Sequence, residues 1–170
     1  VTAPVIHTQR LTLRPHIAAD FADYAAFLAS DRASFMGGPH DTDVAWGWFT
    51  SDIAQWSLFG FGGLAITDRF TGEVFGQISI IKPPRWIEPE IGWLLYDAAE
   101  GKSIAYEAAV ALCNHGFAEL GLSTLVSYID PGNTRSRTLA ERLGGVLDPD
   151  VARPDPEDVV YRYPAPEARQ

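Results

Sequence analysis

Residues 90–108 read EIGWLLYDAAEGKSIAYEA. Glu90 to Tyr96 is a mostly apolar run of strand length that stops at a turn. From about Lys102 to Leu120 a helical pattern follows, with Ile104, Ala108 and Leu112 in register, so the segment predicts a strand passing into a helix through Gly101-Lys102-Ser103. The first-turn N–H groups of such a helix lack intrahelical partners and carry the positive end of the dipole. Gly101 lets a ligand approach the backbone, Ser103 adds a hydroxyl and Lys102 a charge, a combination suited to phosphate or pyrophosphate. The same residues also describe an unoccupied helix start with Ser103 or Gly101 near its cap. A Walker-type nucleotide loop is excluded, because it needs a glycine where Tyr96 stands.

Outward from this segment the pattern is mixed. Arg10 to Arg14 alternates as a first strand, and a helix from near Asp20 places Phe21, Tyr24, Ala25 and Leu28 on one face. After the glycine break MGGPHD, residues 42–60 predict a second helix with Phe49, Ile53 and Trp56, and Trp46 with them, facing inward. Two strands around a Thr71-Gly72 turn precede the Glu90 strand. TLVSYID at 124–130 is a further strand, and TRSRTLAERLG at 134–144 a helix stopped by Gly144-Gly145. The proline-rich end holds a loop and a short strand near Val159 to Tyr163. The order β-α-α-β-β-β-α-β-α-β(-β) predicts one α/β domain over 1–170, with a mixed six- to seven-stranded sheet, about four helices, a core over about 8–163 and a flexible tail at 164–170.

At 170 residues the chain can bury about two-thirds of its unfolded surface. The net charge of −9 argues against nucleic acid and favours a cationic partner such as an amine. No run reaches the roughly 18 apolar residues of a membrane span, the first ten residues lack a signal-peptide core, and a cytoplasmic protein is expected. Cys113, the single cysteine, is expected in the core. His7, His16, His40 and His115 form no ligand set and are expected at the surface or in caps, so no metal is expected. An exposed sheet edge near the C-terminus permits a homodimer.

The run at 90–108, DPGNTRSRTLAERLGG at 130–145, TQRLTLRP near the start and GFGGLAITDRFTGEVFGQISI in the middle together resemble the GNAT superfamily of N-acetyltransferases, and most of all its ribosomal-protein N-terminal acetylase branch. The resemblance covers roughly residues 8 to 148. It implies that Trp93, Leu94 and Leu95 run beside the pantetheine arm of acetyl-CoA. It also implies that Glu100, Gly101, Lys102, Ser103, Ile104 and Ala105 cradle the pyrophosphate. Two positions depart from the family pattern: Glu100 stands where Arg or Gln is usual, and Ser103 where Gly is usual. Both departures bear on how tightly CoA is held.

Moving acetyl from a thioester to an amine needs a neutral amine, a donor to the oxyanion and a proton for the thiolate. The resemblance puts Asn133 in contact with the cofactor and Ser136 near the thioester sulfur as general acid. Read by spacing alone, Asn133 is an N-cap and Ser136 a solvated first-turn residue. Glu90 is the candidate base, with burial among Trp86, Trp93 and Tyr96 raising its pKa; the plainer reading is an exposed carboxylate beside Glu88. Tyr128 and Tyr106 are further donor candidates. The first two helices are expected to flank the acceptor channel, with residues 35–43 as a lid. The expected activity is acetyl-CoA-dependent N-acetylation of a protein N-terminus or small amine within a ternary complex. The alternatives are a CoA- or acyl-CoA-binding module without turnover and a protein that binds another nucleotide at the same helix start.

Overall fold

The computed structural model describes residues 2–166. Its eight strands are β1 Ile6–His7, β2 Leu11–Arg14, β3 Gly63–Asp68, β4 Val74–Ile81, β5 Glu90–Leu95, β6 Thr124–Ile129, β7 Val146–Leu147 and β8 Val159–Pro164. The α-helices are α1 Phe21–Leu28, α2 Thr42–Phe59, α3 Ile104–Ala118 and α4 Thr134–Arg142, with short 3-10 turns at Ala18–Asp20, Asp31–Met36 and Asp97–Ala99. All strands join one sheet in the order β1-β2-β3-β4-β5-β6-β8-β7. The pairs from β1 to β5 are antiparallel, whereas β5 and β6 are parallel with α3 as the crossover. This is the mixed α/β fold expected from the sequence. The sheet has eight strands rather than six to seven because two-residue pairs, too short to show a periodicity, extend both edges. Pro164, expected at the start of the tail, closes β8, and residues 167–170 lie outside the described residues.

Helices cover both faces of the sheet, which is why the interior of β4 is buried continuously instead of in alternation. Ile78, Ile80 and Ile91 pack with Ile104, Ala108 and Leu112 of α3. On the other face Leu94 packs with Tyr24, Phe27 and Leu28 of α1 and with Ala45 and Phe49 of α2. The pairings Gln77↔Leu94, Ser79↔Gly92 and Ile81↔Glu90 put Glu90 on the α1–α2 side, and Ile78↔Trp93 puts Trp93 on the α3 side. Close packing at the end of β5 requires Gly76, where an added Cβ would stand 2.1 Å from the Leu94 carbonyl oxygen.

One departure from regular pairing opens the sheet. β5 pairs with β4 along its whole length but with β6 only at Glu90↔Val126. The near end is tied by Ser127 Oγ, which donates to the Ile91 carbonyl at 2.6 Å. Beyond that tie the parallel strands part, and from Gly92 onward β5 has no β6 partner among the described residues. The N-terminus of α4 stands at this opening.

Candidate active site

Three groups of residues meet at the β5–β6 opening. The first is the turn after β5. Gly101 has φ of 73° and Ser103 φ of 58°, the only positive φ of a non-glycine residue among those described. Ser103 is the N-cap of α3 without a side-chain capping bond. The first backbone bond into the helix runs from Glu107 N–H to the Ser103 carbonyl at 3.1 Å. The amides of Ile104, Ala105 and Tyr106 precede it and, like other first-turn amides, have no intrahelical acceptor. Nothing lies within 4 Å of a Cβ built on Gly101, so a ligand has room beside the backbone there. Turn, amides and open space fit an anion such as the diphosphate of CoA.

The turn is pinned from a distance. Glu107, in the first turn of α3, accepts from Thr8 Oγ1 at 2.6 Å, from the Arg10 amide at 2.8 Å and from Arg10 Nε at 2.6 Å, while Arg10 Nη1 donates to the Lys102 carbonyl at 3.0 Å. Thr8 and Arg10 belong to the TQRLTLRP stretch, which therefore braces the turn as well as supplying β2. Lys102 Nζ folds back to the Ala98 carbonyl at 2.8 Å. Glu100 accepts from Arg32 at 2.5 Å and also from Arg135. The Arg32 bond, with Arg135 adding to it, holds the Glu100 carboxyl below the usual carboxylate range. The negative charge that stands out in the sequence is thus matched by two guanidiniums. Of the other α4 arginines, Arg142 lies over the Tyr106 ring at 4.4 Å, while Arg137 turns away to Tyr161 Oη and the Pro131 carbonyl.

The second group lies on the α3–α4 side. Asn133 caps α4, its Oδ1 accepting from the Ser136 amide at 3.2 Å. Trp93 Nε1 donates to Ser136 Oγ at 3.2 Å. The cap and the first-turn serine are therefore real, and they stand beside β5 at the opening. Leu94 and Ile104 send their side chains into the core, at 6% and 4% exposure, so what they can offer a ligand is backbone.

Glu90 leads the third group, on the opposite side of β5. Its carboxylate accepts from Trp86 Nε1 and, at 3.2 Å, from the Tyr128 amide. Desolvation pushes its pKa up to about 7 against the pull of these two bonds. The environment expected for it needs correction in two places. Trp93 lies on the other face of β5, because successive strand residues point to opposite faces. Tyr96 shares the α1–α2 side with Glu90 but follows the opposite end of β5, where it packs with the α1–α2 cluster. Trp86 does face Glu90, and Tyr128 meets Trp86 edge-on at 6.1 Å. The Tyr128 hydroxyl is buried without a hydrogen-bond partner among the described residues. Phe35, in the stretch expected as a lid, reaches this end of the sheet, 3.3 Å from a Cβ built on Gly132 of the β6–α4 loop.

Sequence reasoning missed a buried polar chain beneath α2. Asp52 accepts from Gln77 Nε2 at 2.8 Å. Gln77 Oε1 meets His16 Nε2 at 2.9 Å, His16 Nδ1 meets Asp20 at 3.2 Å, and Arg14 forks onto Asp20 at 2.8 and 2.9 Å. His16 is therefore an interior residue, not the surface or capping histidine expected. Its relevant partner, Gln77, is 61 residues away and invisible to local pattern. Asp52 could have been suspected, since it sits between Phe49 and Trp56 at inward helical spacing. Trp46, expected inside, is 52% exposed and meets Phe21 edge-on at 5.0 Å. Cys113 lies in the core as expected. Among the described residues no three His, Cys, Asp or Glu side chains gather into a set able to hold a metal ion, and no helix is long and apolar enough to cross a membrane.

Comparison with known proteins agrees with this geometry. An acetyltransferase from Agrobacterium tumefaciens str. C58 superposes with a TM-score of 0.93 at 51% identity, over 96% of this chain and 95% of that one. The Bacillus subtilis (strain 168) protein YkkB is 30% identical over 143 residues, 81% of this chain and 82% of its own. RimL, a ribosomal L7/L12 alpha-N-protein acetyltransferase whose structure holds coenzyme A, shares the fold with a TM-score of 0.75 at 17% identity, over 95% of this chain and 98% of that one. The family described as the acetyltransferase (GNAT) domain matches residues 10–146, and the chain belongs to that family.

Proposed function

We propose that this chain is an acetyl-CoA-dependent N-acetyltransferase, one catalytic domain that passes acetyl directly to a primary amine within a ternary complex. The observation that carries the reading is that Glu90 and the Trp93–Ser136 contact lie on opposite faces of β5, the strand at which the sheet opens. Glu90 is on the α1–α2 side of β5, and Ser136 touches Trp93 on the α3–α4 side. An acceptor and a leaving group can therefore be served from opposite faces of one gap.

In this reading the cofactor supplies an activated acetyl thioester. The turn Glu100 to Ala105 holds its diphosphate through first-turn amides and the surrounding cations, and the unpaired edge of β5 at Trp93, Leu94 and Leu95 guides its arm. Asn133 fixes the start of α4, and Ser136 Oγ, already accepting from Trp93, keeps its own proton to give to the thiolate. The Glu90 carboxylate, with a pKa near 7, takes the proton of the attacking amine in the pH range where a base is needed. The acceptor is a protein α-amine or a small amine; the acidic surroundings of Glu90, which include Asp52 and Asp158, favour a cationic molecule.

Calorimetric titration with acetyl-CoA, CoA and ATP, followed by an amine screen for thiol release, tests the reading. Micromolar binding of acetyl-CoA, none of ATP, and amine-dependent thiol release are expected. Acetyl-CoA binding without thiol release for any amine would leave a binding module, and no binding at all would end the proposal.

A further inference from the structure

We infer that Arg32 and Arg135 form a two-armed clamp for the cofactor diphosphate, with Glu100 as the pin that holds both arms beside the α3 turn. The inference rests on the acetyl-CoA reading above and names side chains that neither the turn itself nor its amides would reveal. The two arginines come from separate parts of the chain. Arg32 lies on the 3-10 turn after α1, and Arg135 is in the first turn of α4. They meet only at the Glu100 carboxylate, on its Oε1 atom.

The chain has 13 Lys and Arg against 22 Asp and Glu, yet around the start of α3 five cations, Arg10, Arg32, Lys102, Arg135 and Arg142, are met by three carboxylates, Asp97, Glu100 and Glu107, which leaves a local positive surplus. An acidic protein repels an anionic ligand at long range, so a local concentration of cations is what a diphosphate site needs. A carboxylate between two guanidiniums occupies the place where an anion with several oxygens would be chelated, since planar guanidinium forks match carboxylate and phosphate alike.

The hydrogen bonding of Arg32 is also incomplete. Arg32 spends both terminal nitrogens, Nη2 on the Leu95 carbonyl at 2.8 Å and on Glu100, Nη1 on Asp97 at 2.9 Å. Its Nε is buried and has no hydrogen-bond partner among the described residues. A buried donor on a charged group is costly when unpaired, so the protein's own acceptors leave the Arg32 guanidinium incompletely satisfied.

The two arms differ in stiffness. Arg32 is tied to β5, Asp97 and Glu100 and is 28% exposed, whereas Arg135 is 78% exposed and among the described residues bonds to Glu100 alone. Arg32 is the fixed arm. Arg135 is the movable one, able to exchange the Glu100 carboxylate for phosphate oxygens at little cost, because exposed ion pairs are weak.

The test is calorimetric titration of the full chain, wild type, Arg32→Ala and Arg135→Ala, with CoA and with pantetheine, which lacks the diphosphate, at low and high salt. CoA affinity is expected to fall about fivefold or more in each variant, with pantetheine binding unchanged. The salt dependence of CoA binding should be shallower than in wild type, because fewer charges are left to screen. Equal losses for CoA and pantetheine would mean the arginines only hold the turn together, and undiminished CoA binding in both variants would also overturn the clamp. Should Arg32→Ala fail to fold, Arg135→Ala decides alone, since it alters an exposed side chain. Wild-type protein that binds no CoA would overturn the functional reading and the clamp together, whereas wild-type binding with unaffected variants overturns the clamp alone.

Discussion

The indole N–H of Trp93 donates to Ser136 Oγ at 3.2 Å, filling an acceptor position of the hydroxyl and leaving its proton to be given elsewhere. The Ser136 amide is held by Asn133, so the residue is fixed from both ends at the β5–β6 opening. Ser136→Ala is expected to lower kcat about 10- to 100-fold with little change in acetyl-CoA affinity. Trp93→Phe, which keeps the ring and removes the donor, is expected to give a smaller loss that disappears in the Ser136→Ala background. Steady-state kinetics of the two single variants and the double variant check this. An unchanged kcat in Ser136→Ala would remove the hydroxyl from the mechanism.

Under the proposed mechanism Glu90 gives the rate its pH dependence. Its pKa of about 7 comes from desolvation, with the Trp86 and Tyr128 bonds pulling the other way. As a base it works only when deprotonated, so kcat/KM is expected to rise with pH through about 7 and level above it. Glu90→Gln should cost about 100-fold in kcat and flatten that limb. A pH–rate profile separates the cases: a limb that persists in Glu90→Gln belongs to the acceptor amine.

The difference between what was legible in the sequence and what was not is one of range. The α3 turn, the hairpin at Gly72 and the cap at Asn133 are decided within a few residues, and local chemistry predicts them. The order of elements then limits how one sheet can be assembled. Glu100 shows the limit. Read alone it is a repulsive charge beside an anion site, and its neutralisation depends on Arg32 and Arg135, 68 positions before and 35 after it. His16 failed for the same reason, since its partner Gln77 is 61 positions away, whereas Asp52 went unread although its spacing from Phe49 and Trp56 turns it inward. Trp46 failed for another: α2 carries Asp52 and Gln55 on its buried side, so an aromatic count misjudges which way the helix faces.

Glu100→Gln is expected to change CoA affinity by less than about threefold, because two effects oppose. Removing the charge lessens repulsion of the diphosphate, and it also loosens the hold on Arg32 and Arg135, each screened by solvent. Titration with CoA measures the balance. A tenfold tightening would show that the carboxylate opposes the cofactor despite its two partners.

Ser103 carries a backbone cost that can be measured without any ligand. Its φ of 58° places it in the left-handed region, which costs a residue with a Cβ about 1–2 kcal/mol. Glycine removes that strain and loses roughly 0.4–1 kcal/mol through the greater freedom of the unfolded chain. Ser103→Gly is therefore expected to stabilise the protein slightly, raising Tm by about 1–4 °C, and Ser103→Val to destabilise it. Thermal melts of the two variants check the order. A lower Tm for glycine would mean that the Ser103 hydroxyl does more for the turn than its Cβ costs.

Asp52 should make stability depend on pH in the sense opposite to an ordinary ion-paired carboxylate. Desolvation raises its folded pKa from 3.8 to about 7, against the Gln77 bond. Between those values the folded protein keeps a proton that the unfolded chain has lost, so its contribution to stability falls as pH rises from about 4 to about 7 and stays low above that. Glu90 acts in the same direction through its own raised pKa. His16, lowered by burial, acts in the other, because below its ordinary pKa the unfolded chain takes up more protons. Arg14 and the ionised Asp20 complete the charged groups of the chain beneath α2. Asp52→Asn keeps an acceptor for Gln77 and removes one titration. It is expected to match wild type near pH 5 within about 1–2 kcal/mol and to exceed it at pH 8 by on the order of 2–4 kcal/mol. Urea unfolding at the two pH values measures the difference. A variant that loses as much stability as wild type between pH 5 and 8 would show that Asp52 is ionised at its site throughout, its charge compensated within the chain of Gln77, His16 and Asp20.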